Sequence, residues 1–236
     1  MNNSINLEPE KIIKTIDLLE KRVSDRFPDS GLRKVCFQFL HTAQKSKQNI
    51  DWISSPNILL RVFSHMIILI GLGGLIYSIT YIDLQIENTT LANVVTISEA
   101  IFNDIILLGA AIFFLFSLES RLKMKRALKS LNELRVIAHV IDMHQLTKDP
   151  NVTDAPECAT ENSPKRTFTN FQLQRYLDYC SEATALVGKV AALYSQSLPD
   201  EKVVRAVNEI EILTTGLSRK IWQKLIILNE LKANTQ

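Results

Sequence analysis

Apolar residues fall at helical spacing along most of this chain, and nowhere do they alternate with polar ones over a run long enough for a strand. Pro9–Phe27 places Ile12, Ile13, Ile16, Leu19, Val23 and Phe27 along one side of a helix. After a break at Pro28–Gly31 the pattern resumes with Leu32, Val35, Cys36, Phe39 and Leu40. Each of these amphipathic helices must bury its apolar face against something. Towards the other end, Phe168–Ser197 carries Phe171, Tyr176, Tyr179, Cys180, Ala183, Val187, Val190 and Tyr194 at the same period. Glu201–Lys232 carries Val203, Val207, Ile210, Leu213, Leu217, Ile221, Leu225 and Leu228, a nearly heptad stripe. Between those two helices, Ser197–Glu201 supplies a turn with Pro199 and a helix start with Asp200.

The middle of the chain differs, because its apolar residues go all the way round. Val62–Ile82 contains no Asp, Glu, Lys or Arg, and its one basic side chain is the titratable His65. A helix of about 20 such residues crosses a hydrocarbon core of roughly 30 Å, so this segment predicts a membrane span. A second span is less direct. The uncharged run between Asp104 and Glu119 measures only roughly 21 Å as helix and must extend backwards through Asp104 to cross. Val94–Leu118 then spans, with Asp104 in its outer half and Glu99 near the outer interface. Helix continues from Arg121 to about Gln145, since no Gly or Pro interrupts it before Asp149-Pro150.

The predicted architecture is therefore an all-α membrane protein, a two-helix transmembrane hairpin between cytoplasmic helical parts. Residues 1–58 form cytoplasmic amphipathic helices, 59–82 the first span, 83–93 an external loop and 94–118 the second span. Residues 119–236 form a cytoplasmic helical domain with a flexible loop at 147–167, rich in Pro, Thr, Asn, Asp and Glu. Lys45, Lys47 and Arg61 precede the first span, and Arg121, Lys123, Lys125, Arg126 and Lys129 follow the second, while the connecting loop has no basic residue. By the positive-inside rule both termini of this multi-pass chain face the cytoplasm. A cleavable signal peptide is not expected, because a long polar stretch precedes the first span. Asn88-Thr-Thr90 in the loop is a glycosylation sequon that matters only in a glycosylating host.

Composition fits this division. The chain is 46% apolar with mean hydropathy +0.06 although 22% of its residues are charged. Leu59–Leu118 holds one basic residue, Arg61, and four acidic ones, Asp83, Glu87, Glu99 and Asp104. A simple soluble globule, a disordered chain and a disulfide scaffold are all excluded on this count. Cys36, Cys158 and Cys180 have no CxxC spacing, which argues for a reducing compartment and against structural zinc. A formal net charge of +2 gives no sign of nucleic acid as an obligate partner.

Candidate chemistry is sparse. No P-loop, GxGxxG, GxSxG or HExxH motif and no paired Cys ligands occur, so an enzyme is not expected, nor a cofactor or a metal. His139 and Asp142 are i, i+3 neighbours, but His144 points roughly 140° away from His139 around a helix. An interfacial hydrogen-bonded pair explains them better than a ligand set. In the second span Thr96, Asn103, Ala110 and Ser117 recur every seven residues as a polar and small stripe, with Glu99 beside it and Asp104 about 100° from Asn103. An ionised Asp facing lipid costs at least about 2.5–3.5 kcal/mol, so Asp104 should face a partner or water. Its bland alternative is a hydrated mouth, or a neutral Asp held by hydrogen bonds.

Two spans cannot enclose a cavity, and the polar groups are satisfied by oligomerising around an axis. The expected pore lining is Thr96, Glu99, Asn103, Asp104, Leu107, Ala110, Phe114 and Ser117, with Leu107, Phe113 and Phe114 as candidates for an apolar constriction. In the first span Ser64, Gly71 and Ser78 form a small-residue stripe beside Gly74, suited to packing on the second span or on a neighbouring subunit. Lys165, Arg166 and Arg175 flank Phe168, Phe171 and Tyr176, and cations beside aromatics can hold phosphates and stack bases. The competing reading of these aromatics is ordinary core.

The helical prefix, the two-span hairpin, the helical C-terminal domain and the segment Leu134–Pro150 resemble the small two-span membrane effectors of bacterial nucleotide-signalling anti-phage systems. Among these the Hailong membrane effectors are most similar in layout, with the SLATT-type effectors as the wider class. The resemblance implies a homo-oligomeric ion channel that depolarises the cell. It also implies control by a nucleotide or oligonucleotide made by a partner nucleotidyltransferase, with Lys165, Arg166 and Arg175 as the candidate ligand residues. A tetramer in the lipid bilayer is the expected assembly. A non-conducting membrane-anchored helical scaffold is the alternative reading.

Overall fold

The computed structural model describes residues 6–83, 91–150, 161–162 and 168–233, with only the backbone for some positions in the apolar helices. Among the described residues the chain is all-α: α1 (Pro9–Arg26), α2 (Gly31–Ser54), α3 (Ile58–Asp83), α4 (Leu91–Leu146), α5 (Asn170–Ser197) and α6 (Glu201–Ala233). Two compact units result, one of Met1–Ser54 with Arg126–Gln236, the other of Ser55–Lys125.

In the first unit, the helix ends follow local chemistry. Pro9 starts α1 at a position where its missing N–H costs nothing. Ser30 Oγ accepts from Arg33 N–H at the start of α2. At α5 a capping box forms: Thr169 Oγ1 accepts from Gln172 N–H at 3.2 Å, while Gln172 Oε1 accepts from Thr169 N–H at 2.9 Å. Asp200 Oδ1 does the same work for α6, accepting from Lys202 N–H at 2.9 Å. At the far end of α4, the Gln145 carbonyl accepts from the Lys148 backbone N–H at 3.1 Å and from the Lys224 ammonium at 2.7 Å, so a helix-end acceptor is satisfied by the turn and by α6.

These helices share one core. α5 packs on α6, α1 on α2, and α5 also touches α1 and α2. Ile16, Leu19, Leu32, Phe39, Leu131, Leu134, Ile141, Leu177, Tyr194, Ile210, Ile221 and Leu228 are all under 2% exposed. The amphipathic face of α1 is thus covered by its neighbour α2 and by α5, far along the chain. Gly188 lets α5 and α6 approach, since a methyl group there would stand 3.1 Å from Thr214 Oγ1. Phe171, although at helical spacing with the α5 core residues, is 58% exposed, and Leu173 and Leu177 are buried instead. Cys36 and Cys180 are buried free thiols, and burial pushes Cys36 up to about 12, so they pack as small apolar groups.

The second unit pairs α3 with the first part of α4. Arg61 pairs with Glu119 and Gly71 lies against Leu108, so the two helices run antiparallel. Most of their apolar side chains are exposed, Leu69, Ile70, Phe102, Leu107 and Phe113 by two thirds or more. Among the described residues one helical stretch, within α4, is long and apolar enough to cross a membrane, with mean hydropathy 2.2 over its best window and none of that window buried. Arg61–Gly74 is a shorter apolar stretch within α3.

Candidate functional sites

Away from the charged end, half-buried residues mark the internal seam of the second unit: Ser64, Ile68 and Gly71 on α3, and Ile101, Leu108, Ile112 and Leu115 on α4. A methyl group at Gly71 would come within 2.8 Å of Leu108 Cδ1, so this glycine sets the approach of the two helices. Gly74 faces open space and takes no part in the contact. Ser78 lies in α3, but its side chain is outside the described residues.

With about 100° per residue, the α4 seam leaves Glu99, Asn103, Ala110 and Ser117 roughly 150–170° away, on the opposite face. Glu99, Asn103, Leu107, Ala110 and Phe114 are exposed there. Ser117 is half-buried, and its hydroxyl donates to the Phe114 carbonyl at 2.9 Å. Asp104, also exposed, flanks the seam at about 50° and stands apart from that polar stripe. Thr96 lies in α4, but its side chain is outside the described residues.

One end of this helix pair is clamped by charge. Glu119 Oε2 accepts from Arg61 Nε at 2.9 Å, and Oε1 accepts from the Asn57 backbone N–H at 3.1 Å and from Lys123 Nζ at 3.0 Å. Lys123 also donates to the Ser55 carbonyl at 2.7 Å. The Arg61 guanidinium, then the Asn57 amide and Lys123, hold the Glu119 carboxyl down at about 2, so it is ionised at any ordinary pH.

The first unit contains an open-mouthed cavity of about 620 Å³. Three separated segments make its wall: the α1–α2 turn with Arg26, Phe27, Ser30 and Gly31; the end of α4 with His144 and Lys148; and the start of α5 with Phe168 and Tyr176. Phe27, Phe168 and Tyr176 form a mutual aromatic cluster, each pair of ring centroids 5.3 Å apart. Lys148 Nζ sits 4.4 Å from the Phe168 centroid, and the Arg26 guanidinium lies 5.3 Å from that of Phe171. Gly31 is required here because a methyl group would overlap the His144 ring. Burial, and then Lys148, lowers the His144 pKa and keeps the imidazole neutral near pH 7.

Of the ligand residues expected from sequence, Lys165 and Arg166 lie outside the described residues. Arg175 sits 5.2 Å over the Tyr179 ring and is paired with Asp178 at 3.2 Å, beside the cavity rather than in its wall. Lys148 and Arg26 are the lining cations that sequence reasoning missed. Arg26 precedes Phe27 in a local cation–aromatic pattern, but nothing local joins it to Phe168. As for His139, Asp142 and His144, they do not converge: His139 is exposed, Asp142 accepts from Gln145 Nε2 at 2.6 Å, and His144 packs at Gly31. Comparison with protein families, with curated proteins and with solved structures returned no match.

Proposed function

We propose that this chain is the subunit of a homo-oligomeric ion channel in the bacterial inner membrane, a two-span hairpin of α3 and α4 with both termini cytoplasmic. In this reading it acts in anti-phage defence, under control of a nucleotide or oligonucleotide made by a partner nucleotidyltransferase. The ligand is bound and not chemically altered.

The observation that carries the reading is the α4 face turned away from α3. An apolar helix that exposes Glu99 and Asn103 on that face, and Asp104 on its flank beside the seam, leaves groups that hydrocarbon does not satisfy, at about 2.5–3.5 kcal/mol for a centrally placed charge. Several copies arranged with that face inward replace lipid by water and by one another. Glu99 on that face, with Asp104 at the border towards the neighbouring copy, then concentrates cations at the outer mouth, Asn103 and Ser117 line the path, and Leu107 and Phe114 narrow it. Ligand binding shifts the balance of open and closed states by its differential affinity for them.

Reconstitution into planar bilayers tests this, comparing the parent with Glu99→Gln and Asp104→Asn. Cation-selective conductance is expected for the parent and a loss of selectivity in the double variant. Selectivity that survives both changes overturns the acidic-mouth mechanism. A protein that carries no current, and in which Asp104→Ala and Asn103→Leu are without effect in cells, is the membrane-anchored scaffold instead.

A further inference from the structure

The cavity of the first unit contains an asymmetry of charge. Four cations lie on aromatic faces around it, and the outer two are neutralised: Arg22 pairs with Glu182 and Arg175 with Asp178. The two that line the cavity, Arg26 and Lys148, have no carboxylate partner among the described residues; each lies over a ring instead. A cation left on an aromatic face retains most of its capacity to donate hydrogen bonds to an anion. Asp29 is the one carboxylate of the lining, and it is exposed.

Size narrows the ligand further. About 620 Å³ falls within the range of roughly 300–1,000 Å³ of sites that enclose a small molecule. Surfaces that follow the interior of a single strand are instead long basic grooves with successive stacking rings. Here the half-buried Phe168 is the ring of the cluster with surface to spare, since Phe27 and Tyr176 are 6% and 2% exposed.

We infer that this cavity binds a single phosphorylated nucleoside, either a free nucleoside monophosphate or the phosphorylated end of a strand, with the phosphate on Lys148 and Arg26 and the base against Phe168. Asp29 accepts from the sugar hydroxyls, a role suited to an acid at the rim. Because the ligand touches the α1–α2 turn, the end of α4 and the start of α5 together, occupancy ties three segments of the unit to one another. The inference rests on the nucleotide control proposed above, and it names the site and the part of the ligand that is read.

Calorimetric titration of the full-length protein in detergent is the test. The probes are the four ribonucleoside monophosphates, adenosine, inorganic phosphate, and a hexanucleotide with and without a 5′-phosphate. At least one monophosphate is expected to bind, with adenosine and phosphate alone weaker by about tenfold or more, as loss of a charge-assisted contact or of stacking requires. Lys148→Gln and Arg26→Gln, both near the surface, should each weaken binding by about tenfold with the thermal melting curve unchanged, and Gly31→Ala, which crowds His144, should weaken it too. The phosphorylated hexanucleotide should compete better than its unphosphorylated form. Binding indifferent to both charge substitutions, equal competition by the two hexanucleotides, or no binding by any probe overturns the assignment. A protein that conducts ions under nucleotide control but fails these titrations keeps the channel reading and loses this site; one that passes them but carries no current keeps the site and loses the channel.

Discussion

The two units of this protein are both helical, yet one hides its apolar side chains and the other displays them. Leu131, Leu134 and Leu177 are essentially inaccessible in the first unit, whereas Leu69, Phe102 and Leu107 are 68% exposed in the second. Helical propensity is shared, so propensity does not account for the difference. What separates them is the medium each pattern requires. A stripe of apolar residues with polar ones opposite demands other helices, and α1, α2, α4, α5 and α6 supply them. An all-round apolar surface with a narrow polar face finds no such cover among the described residues, and the proposed membrane reading gives it hydrocarbon on most sides and water or further copies on one.

The largest expected effect comes from truncating the two kinds of leucine. Leu134→Ala should destabilise the first unit by about 2–5 kcal/mol, measured by thermal or denaturant melting in detergent. Leu69→Ala should stay within about 0.5 kcal/mol, because its side chain is 68% exposed and, in the proposed membrane reading, lipid or detergent tails replace the lost contacts. A loss of several kcal/mol at Leu69 would mean that protein covers it, and the contrast between the units would then describe an isolated copy only.

Next in size is the Glu119 clamp. Glu119→Gln should cost about 1–3 kcal/mol, since a charge-assisted acceptor is removed while Arg61 and Lys123 stay in place. The sign of its pH dependence follows from its pKa of about 2 in the folded chain against the ordinary 4.5. The unfolded chain binds the proton more readily, so the contribution is complete above pH 4.5 and disappears as the pH falls towards 2. The difference in melting between the parent and Glu119→Gln should therefore shrink on acidification through that window. A gap constant down to pH 2 would show that the carboxylate is not what holds α3 to α4.

The smallest effect tests a purely local feature of the first unit. Thr169→Ala breaks the capping box and should cost about 1 kcal/mol, while Thr169→Ser should restore most of it. Protection of the first α5 amides against hydrogen exchange measures it, and equal protection in Thr169→Ala would assign the start of α5 to packing rather than to its cap.

Helix boundaries were almost fully legible, because caps, prolines and apolar periodicity are local signals: the break at Pro28–Gly31, the turn at Pro199 and the unbroken run into Gln145 all fall where the residues demand them. The exposed position of Phe171 was not legible. Its spacing matches the core stripe, and it is left out because no helix among the described residues covers that side. The same holds for the cavity. Arg26, Lys148 and Phe168 are each ordinary in their own segments, and no periodicity links them.

By itself the sequence determined which segments are helical, which face of each is apolar, and that Val62–Ile82 and Val94–Leu118 are too apolar to be balanced by charge. Tertiary structure alone decided that α5 joins α2 in covering α1, that Gly71 rather than Gly74 meets α4, and that the Glu99–Asn103 face turns away from its partner helix. The physical reason is that helix formation depends on neighbours a turn or two away, whereas burial and site assembly depend on which distant surfaces are brought together, and those pairings are made by the whole chain at once.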